Sequence, residues 1–438
     1  MKTVYLKNAS LIGRDAKVIS GQDLFVREGR IDAILPAGSK ASDQKREEIS
    51  PEEIIDCSRY YVTPGLANLH VHTAMNIFKG IAEDVTPDAW FNERIWPYES
   101  QMTDEDVYVG TLLGIAEMID NGVTAFADHY FGEEQVLKAV KETGIRCSLA
   151  PTVFGTAPDF AERLSQVSSF IDAHRKDSGR ISFHMGAHSD YTCPAPTLGK
   201  IVDEAKRIGV PVHLHLSEEE PQVIRSREKT GKTPFAVMKE AGGFDLPVLI
   251  AHGLWIEEED LPYLREDTWF ASCPKTYMKL AMGKGGFYRF CDTLNYGFGT
   301  DGAASSNTLN PAEQARMFGL LEKYQQKDST LHPAAEIWRH LIGGQDALPF
   351  GAGLLTEGAP ADLVIWDLFS TDTFPFYDPV TAILYSSNRS NVRYTMVEGD
   401  FLKYDGKLTM NTEELFADAI RLQKELLKRG KGKANVLY

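Results

Sequence analysis

Short apolar runs alternate with amphipathic stretches along the middle of the chain, between residues 58 and 345. The amphipathic stretches include DEDVYVGTLLGIAEMIDNG and TLGKIVDEAKRIG, whose apolar residues recur at helical spacing. This alternation is typical of repeated βα units, and about 290 residues suits a (β/α)8 TIM-type barrel with a few long loops. A doubly wound α/β sheet is the alternative fold, but the sequence has no G-x-G-x-x-G or G-x-x-x-x-G-K-[ST] loop to supply its nucleotide site.

Both ends of the chain have a β-rich texture that differs from the middle. The N-terminal stretch contains KTVYLKNASLIG and LFVREGRIDAIL, and the late stretch contains ADLVIWDL and NVRYTMVEGDFLKYDGKL. Neither stretch is long enough to form a stable domain alone. We therefore predict a composite β-sandwich domain from residues 1–57 and 346–410, a barrel from residues 58–345, and a C-terminal helix in residues 411–438.

Composition argues against several classes of protein. The chain has 438 residues, 43% hydrophobic and 25% charged, and lacks the apolar run of about 18 residues that a membrane span needs. Lys7 interrupts the apolar run that a secretory signal would need, so we expect a cytoplasmic protein. The net charge of -16 repels nucleic acid. The five scattered cysteines predict free thiols, so we expect any metal to bind histidine and carboxylate ligands.

Two His-x-His pairs stand at the ends of apolar runs. His70 and His72 end YVTPGLANLHVH, and His213 and His215 end PVHLHL. Because side chains alternate along a strand, both imidazoles of a pair point to the same face. Glu218 follows His215 by three residues, where a carboxyl group can act on a water molecule without binding the metal. Taken alone, each pair is equally well explained as polar residues at a strand end.

The spacing of the polar strand ends places them at one mouth of the barrel. If His70 ends strand 1 and His215 ends strand 5, their separation covers four βα units of about 36 residues each. His252, at the end of PVLIAH, falls on strand 6. Asp301, in YGFGTDG, falls on strand 8, beside strand 1 in a closed ring. Three imidazoles and one carboxylate suit zinc or iron(II) and leave one position for water.

The order of these motifs resembles the amidohydrolase superfamily, in particular its mononuclear metal-dependent deaminases. The most similar groups are the S-adenosylhomocysteine/methylthioadenosine deaminase-like and the chlorohydrolase-like enzymes. The matching segments run through the whole chain in the family's order: PGLANLHVH, AEDVTPDAW, HLHLSEEE, AHGLW, GTDGAASSN and GLLTEGAPADLVIWD.

The resemblance implies one divalent metal, zinc or else iron, with the ligands His70, His72, His215 and Asp301. In the family's H-x-x-E motif the ligand precedes the glutamate by three residues, which selects His215 over His213. His213 is left with a structural role or a role in supporting a metal ligand. The catalytic residues would be Glu218, His252 and Asp301. A binuclear site would need a lysine on strand 4, and the candidate strand RISFHMGAHSDYTC has none.

The resemblance also implies four substrate-binding residues: Trp90, Glu99, Arg163 and His188. Trp90 and Glu99 match positions that flank a nucleoside, with Glu99 accepting hydrogen bonds from the ribose hydroxyls. Arg163 matches one of two arginines that hold the amino-acid tail of S-adenosylhomocysteine. Phe154 stands where the second arginine is expected, so a carboxylate tail would lose a bidentate partner.

The segment after strand 7 departs from the family pattern. In place of an H-N-P-x-S-N-like segment the chain reads SCPKTYMKL, which alters the wall that Cys273, Tyr277 and Lys279 would form. Cys273 has no base assigned to it, and we interpret it as a packed thiol rather than a nucleophile.

These features predict a metal-dependent aminohydrolase that replaces an exocyclic amino group of a purine-like heterocycle with oxygen and releases ammonia. An adenosine-type nucleoside with a small or uncharged 5′ group is the favoured substrate. The alternatives are a deaminase of guanine-type or pterin-type bases, a hydrolytic dechlorinase of triazine-type rings, and a catalytically silent barrel that only binds ligands. We expect a small heterocycle as partner, no nucleic acid, no membrane and no organic cofactor, and the sequence leaves a homo-oligomer open.

Overall fold

The computed structural model describes residues 2–177 and 179–434. Its first strands are β1 (Val4–Ile12), β2 (Val18–Arg27), β3 (Arg30–Pro36), β4 (Glu53–Asp56) and β5 (Tyr61–Pro64). Strand β1 is antiparallel to β2 and parallel to β4 and β5. Glu28 and Gly29 have φ angles of 53° and 77°, which gives the two-residue turn between β2 and β3 the twist that hairpins favour.

The middle of the chain forms the barrel. Its strands are β6 (Leu66–Val71), β7 (Val123–Tyr130), β8 (Arg146–Val153), β9 (Ile181–Phe183), β10 (Met185–Ser189), β11 (Val212–Leu216), β12 (Val248–His252), β13 (Thr268–Ser272) and β14 (Asn295–Phe298). All neighbouring strands are parallel, and β9 and β10 together make the fourth barrel strand because both pair with β8. The backbone N–H groups of Thr300 and Asp301 donate to the carbonyl of His70 (2.9 and 3.0 Å) and bring the two ends of the ring together.

The last four strands complete the sheet that the first five begin. They are β15 (Leu363–Trp366), β16 (Val392–Val397), β17 (Asp400–Tyr404) and β18 (Lys407–Leu408). Strand β15 runs antiparallel to β5, so both chain ends share one sheet in the order β18-β17-β16-β15-β5-β1-β2-β3, with β4 beside β1. The predicted fold class, a barrel with a composite β domain from both ends, is confirmed. Strand β5 joins this sheet although it lies beyond residue 57, and the domain boundaries stay a prediction.

Helices follow most of the barrel strands and cover the outside of the barrel, whereas the first helix packs on β2 and β3 of the terminal sheet. The helices of the described chain have the following bounds. They are α1 (Lys40–Ile49), α2 (Pro87–Ala89), α3 (Trp96–Glu99), α4 (Asp104–Asp120), α5 (Glu133–Thr143), α6 (Phe160–His174), α7 (Ala195–Ile208), α8 (Glu220–Thr230), α9 (Pro234–Glu240), α10 (Pro274–Lys279), α11 (Phe287–Phe290), α12 (Ala303–Ser306), α13 (Pro311–Gln326), α14 (Ala334–Gly343), α15 (Pro379–Thr381) and α16 (Thr412–Arg429). Helix α7 buries Leu198, Ile201, Val202, Ala205 and Ile208, the one-sided spacing that the sequence shows.

Short helical turns of other types lie in the connections. The 3-10 turns are Thr73–Phe78, Gly243–Asp245, Glu258–Tyr263, Cys291–Thr293, Gly344–Ala347 and Arg389–Asn391, and the π-helical turns are Trp90–Ile95 and Ala382–Ser386. The C-terminal helix α16 begins after Asn411, whose side chain caps it, and ends at Arg429. Residues 435–438 of the predicted C-terminal helix lie outside the described residues. Among the helices of the described chain, none has the length and apolarity needed to cross a membrane.

The barrel core lies below the mouth in which the polar strand ends meet. Leu348 and Phe350 close the barrel interior from the side opposite the mouth. The small and branched side chains that fill the interior are Ala67, Leu69, Ala125, Ala127, Leu249 and Ala271. A larger apolar layer lies between the strands and the outer helices. The terminal sheet packs its own cluster, which includes Val4, Leu24 and Leu363.

A buried ion pair joins the barrel to the terminal sheet. Arg146, the first residue of β8, donates to both carboxylate oxygens of Asp362 (2.6 and 3.1 Å) and lies 3.1 Å from an oxygen of Glu398. Asp362 precedes β15 and also accepts the backbone N–H of Glu398 (3.0 Å). Arg146 and Asp362 are each 1% exposed, so removal of either partner leaves the other charge buried and underpaired.

We expect Asp362→Ala to destabilise the protein by about 3–5 kcal/mol, because it leaves the Arg146 guanidinium buried with a single carboxylate. The double variant Arg146→Met with Asp362→Leu should recover most of that loss, since it removes both charges. Thermal unfolding followed by circular dichroism measures the difference. An unchanged unfolding temperature in Asp362→Ala would contradict this account of the junction.

Candidate metal centre and substrate cavity

Four side chains converge at the carboxyl ends of the barrel strands. His70 lies in β6, His72 directly after it, His215 in β11, and Asp301 after β14. The Nε2 atoms of His72 and His215 are 3.2 Å apart. An oxygen of Asp301 lies 3.2 Å from Nε2 of His72 and 3.7 Å from Nε2 of His70. Tetrahedral zinc with bonds of about 2.0–2.1 Å holds its ligand atoms about 3.3 Å apart, so these residues fit one such ion.

The three imidazoles are fixed through their other nitrogen atoms. Nδ1 of His70 lies 3.0 Å from Nε2 of His213. Nδ1 of His72 lies 2.6 Å from the carbonyl oxygen of His129, and Nδ1 of His215 lies 2.6 Å from the carbonyl oxygen of His188. The two carbonyls fix a proton on Nδ1 of His72 and of His215. Nε2 of His213 can accept one from Nδ1 of His70, so in each of the three imidazoles Nε2 is the atom left for a metal. Nε2 of His70 is buried and has no hydrogen-bond partner among the described residues, as expected for a metal ligand.

The charges of the cluster also suit a divalent cation. Burial lowers the pKa of His70 and of His215 well below the usual value, so both are neutral at physiological pH. Burial opposes a charge on His72, but the hydrogen bond and the charge of Asp301 raise the pKa of His72 to about 9, so a metal ion that binds here would displace a proton from His72. Burial likewise opposes ionisation of Asp301, yet His72 holds the pKa of that carboxyl below its usual range. Asp301 is therefore available as an anionic ligand.

Glu218 and His252 lie side by side at the edge of this cluster, with Oε1 of Glu218 3.5 Å from Nε2 of His252. Burial, followed by the charges of Asp301 and Glu219, raises the pKa of Glu218 to about 8. Burial lowers the pKa of His252 to about 4. At neutral pH the carboxyl group therefore carries a proton and the imidazole does not, which equips the pair to act as an acid and a base.

Two of these residues have unusual backbone conformations. The φ angles of His252 and Asp301 are 69° and 57°, in the left-handed region that non-glycine residues rarely adopt. Both residues stand where a barrel strand ends and its loop begins. Backbone strain of this kind is concentrated at functional sites, where the surrounding structure holds it in place.

An aromatic cavity opens directly above the cluster. Trp90, Glu99 and His188, three of the four residues expected to bind substrate, line it, and so does Phe154. The other aromatic side chains of its wall are Phe91, Trp96, Tyr130, Phe131 and Tyr191. The rings of His188 and Phe154 stack, with centroids 4.4 Å apart. Glu99 is buried and accepts a hydrogen bond from the hydroxyl of Tyr130 (2.7 Å), and burial raises the pKa of its carboxyl.

Arg163 does not join the cavity lining. Its guanidinium donates two hydrogen bonds to the carboxylate of Glu133 (2.7 and 2.9 Å) and a third to the carbonyl of Thr152 (3.2 Å). The structure thus separates Arg163 from the other three residues of the expected substrate-binding set. Its positive charge is already balanced by a carboxylate within the protein.

The segment SCPKTYMKL forms a buried wall and a charged rim. Burial raises the pKa of the Cys273 thiol well above its usual value, which leaves it protonated and unreactive. The hydroxyl of Tyr277 accepts the backbone N–H of Cys273 (2.9 Å). Lys279 pairs with Glu83 at the rim (2.7 Å).

Strand β7 contributes residues that the sequence analysis missed. Asp128 accepts hydrogen bonds from the backbone N–H and the hydroxyl of Thr73 (2.9 and 3.0 Å), the residue after His72. The carbonyl of His129 holds His72, and Tyr130 holds Glu99. The signal was present in VTAFADHY, an apolar run that ends in polar residues as the two His-x-His runs do.

The C-terminal segment holds the loop that carries Trp90 and Glu99. Tyr98 donates its hydroxyl hydrogen bond to the carbonyl of Gly432 (2.6 Å), and the N–H of Lys433 donates to the carbonyl of Glu93 (2.8 Å). A Cβ atom on Gly432 would lie 2.3 Å from the ring of Tyr98, so only glycine allows this approach. The substrate-facing loop is therefore anchored by the far end of the chain.

The fold and the cluster together define a barrel enzyme with a centre for a divalent metal ion. The chain belongs to the amidohydrolase family, whose model matches residues 61–402. The family resemblance drawn from the sequence motifs is confirmed.

Curated relatives match the chain over almost its full length. The 5-methylthioadenosine/S-adenosylhomocysteine deaminase of Desulforudis audaxviator is 34% identical over 97% of this chain and 99% of its own. The 5'-deoxyadenosine deaminase of Methanosarcina mazei is 32% identical over 98% of this chain and 99% of its own.

Solved structures show the same architecture. An adenosine deaminase from Xanthomonas campestris, solved with bound zinc, superposes with a TM-score of 0.90 at 26% identity, over 97% of this chain and 98% of that one. The atrazine chlorohydrolase of Arthrobacter aurescens TC1, solved with zinc, superposes with a TM-score of 0.86 at 19% identity, over 96% and 100% of the two chains. The second likeness concerns the fold alone.

Single changes of His70, His72 or His215 to alanine should each lower the metal content by one equivalent per chain, because each removes one of four converging ligands. His174→Ala is the matched control, since His174 pairs with Asp177 on the outside of the barrel (2.6 Å). Elemental analysis of protein purified without added metal is the measurement. Metal content at the wild-type level in all three ligand variants would mean that the ion binds elsewhere.

Proposed function

We propose that this protein is a zinc-dependent aminohydrolase that removes the exocyclic amino group of an adenosine-type nucleoside and releases ammonia. One observation carries the proposal: three imidazole Nε2 atoms and a carboxylate oxygen converge beside the carboxyl group of Glu218 and the imidazole of His252. Curated relatives of this chain are named as deaminases, which supports the proposed reaction. Zinc is favoured over iron(II) by the zinc in the related adenosine deaminase structure.

His70, His72, His215 and Asp301 would hold the ion. A divalent cation bound there supplies Lewis acidity, which lowers the pKa of a water molecule toward neutrality. His252 and Asp301 orient this water toward the amine-bearing carbon and accept its proton. Glu218 donates its own proton to the adjacent ring nitrogen, because the attacked ring must accept electron density. The proton taken from water then passes to the leaving amine, which departs as ammonia, and Glu218 regains its proton from the added hydroxyl group as that oxygen becomes a carbonyl.

The cavity above the cluster suits a nucleoside. Its aromatic side chains offer flat apolar surfaces to a purine ring, and Glu99 offers a buried carboxyl group to ribose hydroxyls. One oxygen of Glu99 already accepts the hydroxyl of Tyr130, which fixes the orientation of the carboxyl group. Trp90 is fixed in turn, because its indole N–H donates to the carbonyl of Ala304 (3.2 Å).

The 5′ side of the cavity favours an uncharged substituent. Phe154 occupies the position where an arginine would be expected, and the guanidinium of Arg163 is committed to Glu133. Trp96 lies near Phe154, with centroids 6.5 Å apart, and stacks on Phe91 at 6.0 Å. A methylthio or methyl group would make apolar contacts with this wall. A carboxylate would meet only aromatic side chains there and the Arg163 guanidinium that already pairs with Glu133. The 5'-deoxyadenosine deaminase named among the relatives supports this substrate class.

The remaining alternatives have less support. A barrel that only binds ligands would not need the complete set of metal-binding side chains together with an acid and a base. The triazine-hydrolysing neighbours share the fold at 19% identity, which does not extend to their substrate. We place the enzyme in the cytoplasm, because all five cysteines are buried free thiols, as is usual in a reducing compartment.

We expect Glu218→Gln to retain the fold and the metal but to lower turnover by roughly 10²-fold or more, because the amide cannot supply the proton. Glu228→Gln, an exposed position on the same helix that follows Glu218, is the matched control and should keep normal turnover. Steady-state kinetics of ammonia release, with metal content measured alongside, separate the two effects. Near-normal turnover in Glu218→Gln would leave that residue with only a structural role.

Methylthioadenosine, 5′-deoxyadenosine and adenosine should be better substrates than S-adenosylhomocysteine by roughly 10- to 100-fold in kcat/KM. The reason is the missing charged hydrogen bond to the amino-acid tail, which costs about 1.5–3 kcal/mol. Phe154→Arg should narrow the gap, and Phe154→Leu, which removes the ring without adding a charge, should not. A preference for S-adenosylhomocysteine in the wild type would contradict the account of the 5′ wall.

Glu99→Ala tests the ribose contact, and we expect it to raise KM for all four nucleosides. If every nucleoside is inert and a free base or a pterin is deaminated instead, the role given to Glu99 is wrong. The metal chemistry would survive that outcome.

A further inference from the structure

A second group of metal-binding side chains lies away from the catalytic mouth. Cys291 and Asp292 stand in the 3-10 turn that leads into the amino end of β14, whereas Asp301 follows the carboxyl end of that strand. His332 lies in the connection between α13 and α14. One possible ligand atom from each of these three residues lies within 4.8 Å of the others, and Sγ of Cys291 is 3.9 Å from Oδ1 of Asp292.

Two polar atoms beside this group are buried without a partner. Oε1 of Glu322 and the hydroxyl of Tyr288 have no hydrogen-bond partner within the parts of the chain that the structure describes. Glu322 is 2% exposed and Tyr288 is 5% exposed. Burial and then the charge of Glu322 raise the pKa of Tyr288. A buried carboxylate oxygen without a partner is costly unless a cation or a donor meets it.

The neighbourhood of Cys291 is strongly negative. Burial is the largest cause that raises the pKa of the Cys291 thiol to about 12, and the negative charges of Asp292, Glu322 and Glu336 raise it further. These three carboxylates and the thiolate that Cys291 would form thus repel one another's negative charge. A divalent cation would turn this repulsion into attraction and would displace the thiol proton.

His332 is oriented as a metal-binding histidine would be. Its Nδ1 atom is bonded to Oε1 of Glu336 (2.9 Å), and its ring packs against Phe318 with centroids 4.9 Å apart. A carboxylate on one ring nitrogen fixes the tautomer and leaves the other nitrogen with its lone pair free. His332 is 8% exposed, so this nitrogen lies at the edge of the interior.

We propose that Cys291, Asp292 and His332 bind one structural divalent transition-metal ion of the zinc class, separate from the catalytic ion. A thiolate, an imidazole and a carboxylate form a donor set that zinc accepts readily. The ion ties the connection between α13 and α14 to the turn before β14. Binding releases the proton of the Cys291 thiol to solvent, and no electron is transferred. From the scattered spacing of the cysteines we expected any metal to bind only histidine and carboxylate ligands. The proposed site differs because it includes one thiolate ligand.

Cobalt(II) replacement distinguishes the two ions. A cobalt ion bound to thiolate gives a sulfur-to-metal charge-transfer absorption in the near ultraviolet, and the catalytic set of imidazoles and a carboxylate has no sulfur. We expect the cobalt-loaded wild type to show this band, and His215→Ala to keep it while it loses the catalytic ion. Cys291→Ser and His332→Ala should lose the band. Cys57→Ser, a buried cysteine of the terminal sheet, is the matched control and should keep it.

Metal analysis supplies a second readout that does not depend on the sulfur. We expect two equivalents per chain in the zinc-loaded wild type and one equivalent in Asp292→Asn, an exposed position that leaves Cys291 in place if the serine variant fails to fold. The unfolding temperature of the wild type should rise with added zinc after the catalytic site is full, and that of Asp292→Asn should not. A band that persists in Cys291→Ser, or a wild type that binds a single ion, would overturn the proposal without touching the proposed deaminase function.

Discussion

The hydrogen bonds at the Nδ1 atoms of three imidazoles determine what the rest of this site can do. They hold His70, His72 and His215 with their Nε2 atoms turned toward one point, and Asp301 completes the set because the ring of strands brings β14 beside β6. Two of the three acceptors are backbone carbonyls of neighbouring barrel strands. The metal centre is therefore built into the barrel itself, and a loop change alone would not rearrange it.

Burial then divides the chemical roles. The same dry surroundings that raise the pKa of Glu218 to about 8 lower the pKa of His252 to about 4, so two adjacent residues present an acid and a base at one pH. Substrate choice is set by separate residues farther from the metal ligands. In the proposed function, we expect the aromatic wall around Phe154 and the pairing of Arg163 with Glu133 to disfavour a charged 5′ tail without altering the reacting centre.

The sequence predicted the fold and the strand ends well because both depend on period and spacing. His70, His215, His252 and Asp301 occupy the ends of the first, fifth, sixth and eighth barrel strands, as the spacing of repeated βα units indicated. Contacts between side chains from distant segments could not be predicted in this way. The pairing of Arg163 with Glu133, the bond from Tyr130 to Glu99 and the grouping of Cys291 with His332 all depend on how helices and strands pack in three dimensions.

The most direct test of the central claim is ammonia release from 5′-deoxyadenosine before and after the metal is removed and restored. We predict that chelation abolishes turnover, and that turnover returns in proportion to the zinc bound at the site that contains His215. The His215→Ala variant should stay inactive at every zinc concentration. Turnover that persists in metal-free protein, or that returns in His215→Ala, would contradict a metal-dependent aminohydrolase built on these residues.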